Sequence, residues 1–153
     1  MLPDLARWRT EGLATALVTL VEVEGGGPRP VGAQMAVAED GRFSGYLSGG
    51  CLEASVAAEA VAVIAKKRNR LVRYGKGSAY FDIALPCGSA LDLYIDRGLS
   101  DDELRRMLNL RAARRPFALK TAMVTGAHTL VEEIDGQRTA RRADVMTRLR
   151  VGG

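Results

Sequence analysis

The sequence predicts an α+β fold, or an irregular α/β one: a mixed sheet with helices packed on it, in a single domain over residues 1–153. Three observations lead there. Stretches rich in β-branched residues and stretches with helical apolar spacing share the chain, without the regular strand–helix–strand alternation of a wound parallel sheet. Of the 153 residues, 47% are apolar and 26% charged, the balance of a chain that folds round a core rather than staying disordered. The 17 glycines, about 11% against a usual ~7%, cluster between the predicted elements rather than inside them.

Each element has its own reason. Leu5 and Trp8 share one helical face over residues 4–11, and Gly12 ends that helix. Thr15–Glu24 is a β-branched run and reads as a strand. Residues 25–32, with three glycines and then Pro28-Arg29-Pro30, form a loop. Gln34–Ala38 is a second strand, Asp40-Gly41 supplies the positive-φ positions of a tight hairpin, and residues 43–48 return. Ser48-Gly49-Gly50-Cys51 then leads into a helix on which Leu52, Val56, Ala60 and Val63 recur at helical spacing. Lys66, Lys67 and Arg68 finish it, where the helix dipole favours cations. Residues 71–74 read as a strand, 75–80 as a loop and 81–85 as a short strand. In residues 91–95 Leu91, Leu93 and Ile95 alternate with polar neighbours, as in a half-buried strand. Ser100 and Glu103 make a capping box for a helix burying Leu104, Met107 and Leu108, stopped at Arg115-Pro116. Strands follow at 117–125 and 129–134, with a turn at Asp135-Gly136.

Composition excludes several classes. Two cysteines, 36 positions apart (87 − 51), make no disulfide framework, which points to a reducing, cytoplasmic setting. Met1-Leu2-Pro3-Asp4 lacks the basic start and apolar core of a secretory leader. No apolar run reaches the ~20 residues of a membrane helix. The net charge of +4 is local: Arg138, Arg141, Arg142, Arg148 and Arg150 crowd the tail. No aromatic is interleaved with them, so stacking platforms for nucleic acid are missing and a solvated or partner-binding tail is expected.

Chemistry has three candidate places. At Ser48-Gly49-Gly50-Cys51, a strand-to-helix junction, helix-start amides and adjacent glycines suit an anion and can activate a thiol. Glu53 favours the helix start but opposes thiolate formation, and a Cys packed as a small hydrophobe is the competing reading. Pro86-Cys87-Gly88-Ser89 repeats the pattern of a Cys beside a Gly on a turn. Two such turns facing each other could hold a soft metal or a sulfur-rich ligand, with Cys51 and Cys87 as contacts; a buried Cys is the alternative. Arg29, held between two prolines, is either an anion clamp or part of a surface turn. Walker and dinucleotide fingerprints fail, because Arg70 stands where the first P-loop glycine should be and Tyr80 where the last fingerprint glycine should be. His128 is the single histidine, expected as an exposed loop residue, and zinc-ligand spacings are absent.

Taken in order, these stretches resemble a known family. Residues 19–35 with Pro28-Arg29 and Gly32-Ala33, then Asp40-Gly41, Gly45, Ser48-Gly49-Gly50-Cys51-Leu52-Glu53, Arg73-Tyr74-Gly75 and Cys87-Gly88 are similar to the N-terminal domain of the xanthine dehydrogenase accessory family (XdhC/CoxI type), over residues 13–97. The Rossmann-like C-terminal domain of long members is expected to be absent. The resemblance implies a protein that binds the molybdenum cofactor (molybdopterin), supports its sulfuration and delivers it to a molybdenum hydroxylase such as xanthine dehydrogenase, a chaperone rather than a catalyst. Implied partners are that client and a sulfur donor such as a cysteine desulfurase; a homodimer is permitted by the Ala-rich helix and the sheet edges. Implied cofactor-binding residues are Cys51, Cys87, Ser48, Gly49, Gly50, Gly88 and Arg29, with Cys51 and Cys87 as molybdenum contacts. One departure stands out: Gly26 and Gly27 occupy places where the family loop carries Ser or Thr. Two other classes compete, a thiol-dependent sulfurtransferase acting through Cys51, and a partner-protein or nucleic-acid binder acting through the basic tail.

Overall fold

The computed structural model describes residues 1–27, 29–78, 85 and 88–132, and the backbone of 144–149. Contacts group the chain into two compact units, residues 3–97 and 98–153.

The first unit carries α1 (Leu2–Thr10), β1 (Thr15–Glu24), β2 (Gln34–Ala38), β3 (Phe43–Gly45), α2 (Glu53–Lys66), β4 (Arg70–Gly75) and β5 (Ala90–Asp96). Its five-stranded sheet has the order β3-β2-β1-β5-β4. Every described pairing is antiparallel, so the sheet expected to be mixed is antiparallel instead. The reason is topological. Strands β1 to β3 form a meander, β4 and β5 a second antiparallel pair, and α2 links the two groups without joining parallel neighbours.

Strand β1 is central, and residues 15–20 are buried on both faces. Ala16, Val18 and Leu20 point into one core with Met35, Val37, Leu91, Leu93, Ile95, Val72 and Tyr74. Helix α2 covers that core with Val56, Ala57, Ala60, Val63 and Ile64, the stripe its spacing predicts. On α1, Leu2, Leu5 and Trp8 are buried, and Asp4 accepts a 2.7 Å hydrogen bond from the Ser44 hydroxyl of β3. In the turn between β2 and β3 only Gly41 takes positive φ; Asp40 instead accepts from the Arg42 N–H at 3.1 Å, an Asx turn.

Two glycines let backbones touch. A Cβ on Gly45 would lie 2.4 Å from the Gln34 carbonyl oxygen, and one on Gly75 2.2 Å from that of Ser89. Both residues also have positive φ.

The second unit holds α3 (Asp101–Ala112) and an antiparallel sheet β7-β6-β8, formed by β6 (Phe117–Ala122), β7 (Ala127–Val131) and β8 (Asp144–Leu149). The capping box is present: the Glu103 N–H donates to Ser100 Oγ at 3.2 Å, and the Ser100 N–H donates to the Glu103 carboxylate at 2.8 Å. Leu104 and Met107 are buried as expected, but the third buried residue is Leu110 rather than Leu108. His128 is not an exposed loop residue. It sits on β7 with its side chain 3% exposed and Nδ1 3.3 Å from a Glu103 carboxylate oxygen. All but Leu85 of the strand predicted at 81–85, and the turn at Asp135-Gly136, lie outside the described residues, as do the side chains of the basic tail.

Candidate functional site

The register brings the candidate loops to one end of the five-stranded sheet. Glu24 pairs with Ala90, Ala90 with Gly75, and Met35 with Gly45. Because the strands alternate in direction, β1, β3 and β4 leave the sheet at this end, and β2 and β5 enter from it. The loops holding Arg29, Ser48–Cys51, Lys76 and Gly88 therefore all emerge here, and α2 starts here at Glu53. The Arg29 and Gly88 loops lie side by side: a Cβ on Gly25 would be 3.4 Å from Ser89 Cα and 3.9 Å from the Gly88 carbonyl.

Glu53 builds the Ser48–Cys51 loop. Its side chain is buried, with 2% of the residue exposed. One carboxylate oxygen accepts the N–H groups of Leu47 at 2.9 Å and Ser48 at 2.8 Å; the other accepts the Gly50 N–H and the Ser48 hydroxyl, both at 2.9 Å. Ser48 Oγ in turn accepts the Leu52 N–H at 3.1 Å. Burial pushes the Glu53 pKa up, but the amides of Ser48, Leu47 and Glu53 itself and the Ser48 hydroxyl outweigh it and hold the pKa at about 2. Buried charge is tolerated only when hydrogen-bonded in this way. The Ser48 and Gly50 amides and the Ser48 hydroxyl, donors that the sequence offers to an external anion, are thus engaged by the chain's own carboxylate. Ser48 and Gly50 shape the loop, and Glu53 is the residue that spacing alone does not single out, because an acid near a helix start has an ordinary role with the dipole.

What the loop presents outward is different. Gly49 and Gly50 are exposed and take φ of 85° and 119°, and added Cβ atoms would meet nothing within 4 Å. Cys51 is a free, exposed thiol at the end of this open surface, not a packed core residue. Arg29 is exposed in its loop, and Gly88 is exposed beside buried Ser89. Cys87 and Pro28 lie outside the described residues.

The same end has a second brace. Arg73 reaches Glu24 on β1, Asp92 on β5 at 3.2 Å and the Lys76 carbonyl at 2.8 Å. In the stretch Arg73-Tyr74-Gly75, Arg73 therefore ties three segments, Tyr74 fills the core and Gly75 permits close approach. Among the described residues no group of three His, Cys, Asp or Glu is placed to hold a metal ion.

These features define an α+β scaffold that displays a thiol on a fixed glycine loop. Residues 8–75 match the model of the XdhC and CoxI family. Over 109 residues the chain is 48% identical to the molybdenum cofactor insertion chaperone PaoD of Escherichia coli (strain K12), an alignment covering 71% of this chain and 34% of that protein. The fold is similar to a crystal structure described as a xanthine dehydrogenase from Bacillus halodurans, with a TM-score of 0.67 at 21% identity over 86% of this chain and 42% of that one. Over this region the chain is similar to the XdhC and CoxI family. It spans about a third of the curated relative's length.

Proposed function

We propose that this chain binds the molybdenum cofactor at the glycine-loop end of its first unit and releases it to a molybdenum hydroxylase, acting as a chaperone rather than a catalyst. The observation that carries the proposal is the exposed Cys51 thiol on a loop locked by Glu53, within a region 48% identical to a molybdenum cofactor insertion chaperone. When bound, the cofactor supplies a metal–dithiolene centre and a phosphate-bearing tail.

The residues present fit such a group in part. A soft thiolate suits molybdenum or its sulfur, and the open Gly49–Gly50 surface lets a flat ligand come close. The Ser48 hydroxyl and the Gly50 amide are already engaged, so the phosphate falls to Arg29, whose planar donor fork suits it. Gly88 lies beside that loop, and Cys87 serves as the second thiol. In this reading Glu53 positions Cys51 without touching the ligand. A labile cofactor must also be let go, and a few convergent contacts release it more readily than a closed cage. A cysteine desulfurase fits as sulfur donor and a cytoplasmic setting as location; no described helix is long and apolar enough to cross a membrane.

Co-expression with the cofactor pathway tests this. The purified protein should carry molybdenum and pterin, and Cys51→Ala should lower both about tenfold, ~1.4 kcal/mol of binding. Wild-type cofactor content in both Cys51→Ala and Cys87→Ala would remove the thiols from the site. A stable persulfide on Cys51 without retained cofactor would favour the sulfurtransferase reading instead.

A further inference from the structure

We propose that the groove between α2 and the edge strand β4 docks an extended acidic segment of a partner protein. It is a cavity of about 500 Å3 at the other end of the sheet from Cys51, since α2 starts at Glu53 and the groove lies against its last turns. The proposal is therefore independent of the cofactor reading. Ala62 and Val63 of α2 give the groove an apolar wall, Leu71 borders it from β4, and Lys66, Arg68 and Arg70 line it with cations.

Charge decides what it takes. Arg70 meets the Glu59 carboxylate at 3.0 Å. Lys66 and Arg68 meet no carboxylate among the described residues, so two full positive charges stay uncompensated. The partial negative charge of the α2 C-terminus, roughly half a unit, leaves the groove cationic. An occupant must carry anions.

Geometry decides its form. Leu71 is a large apolar side chain, 56% exposed, on a regular strand. Among the described residues β4 ends the sheet, with β5 on one side and no strand on the other. An extended peptide laid along such an edge gains main-chain hydrogen bonds and sends alternate side chains to opposite faces. One row of carboxylates would then meet Lys66 and Arg68, and an intervening apolar side chain would cover Leu71. Single-stranded nucleic acid uses this surface poorly: no aromatic lines it for stacking, and a phosphate chain leaves the apolar wall uncovered.

The test titrates the full chain with a capped octapeptide alternating Glu and Val, alongside a Lys–Val octapeptide and an eight-residue oligothymidylate. Backbone amide NMR should show saturable shifts confined to residues 59–75 with the acidic peptide alone. Lys66→Glu combined with Arg68→Glu, both exposed and so compatible with folding, should weaken binding at least tenfold. Leu71→Asp should do the same, with an unchanged circular dichroism spectrum in each variant. Absent saturation, equal or tighter binding of the oligonucleotide, or undiminished affinity in the charge-reversed variant would each overturn the proposal. A dimer that Leu71→Asp dissolves would overturn it in favour of self-association.

Discussion

At the scale of single residues, Glu53 and Cys51 form a division of labour. Glu53 is buried and spent on structure, and Cys51 is exposed and free of it. Replacing Glu53 by Gln keeps the size but turns one acceptor oxygen into a donor facing N–H groups. We expect a loss of about 2–3 kcal/mol, the usual cost of breaking a buried charge-assisted network. The pH dependence has a definite sign. The folded pKa of Glu53 lies near 2, below its ordinary 4.5. Its stabilisation is therefore fully present above pH 4.5 and is lost as the pH falls through 2. Urea denaturation at pH 7 and pH 3 should show a smaller difference for Glu53→Gln than for the wild type; an equal difference would mean the carboxylate is not held as described. Cys51→Ala removes an exposed thiol, so the unfolding free energy from urea denaturation should stay within about 0.5 kcal/mol of wild type.

At the scale of elements, two glycines that look alike in sequence differ in consequence. Gly41 and Gly45 both take positive φ, at 88° and 109°. An added Cβ meets open space at Gly41 and backbone at Gly45, 2.4 Å from the Gln34 carbonyl oxygen. Gly41→Ala should cost about 1 kcal/mol, the left-handed penalty alone, and Gly45→Ala more than 2 kcal/mol, because β2 and β3 must separate; equal losses in thermal melts would refute the distinction. Ser100→Ala removes the α3 cap and should cost about 1 kcal/mol. The same contrast explains what was legible beforehand. Strands β1 and β2 and the α3 cap follow from side-chain pattern and local hydrogen bonding, and the sequence predicts them to the residue. Cys51 could be picked out because a thiol beside two glycines at a helix start is a local arrangement. Glu53 and Arg73 were not legible as braces. Their partners are backbone amides with no sequence code in one case, and residues 49 and 19 positions away in the other. The burial of His128 was hidden for the same reason, since Glu103 lies 25 positions before it (128 − 103).

At the scale of the first unit, the sheet separates two kinds of surface. Loops at one end show a thiol, an arginine and open glycine backbone; the groove at the other shows cations over apolar side chains. Helix α2 spans the two, and its 14 residues put them about 21 Å apart along its axis. At that distance, beyond a Debye length of ~8 Å at physiological salt, a charge changed at one end acts weakly on the other. Effects of mutations so far apart with no shared partner should add. Arg29→Glu should therefore lower cofactor content while leaving acidic-peptide affinity within about twofold of wild type. Lys66→Glu with Arg68→Glu should abolish peptide binding and leave cofactor content unchanged. Measured together, the combined variant should show each defect at its single-site size. A combined loss larger than the sum of the separate losses would mean that α2 transmits strain between its ends, and that the two surfaces form one site rather than two.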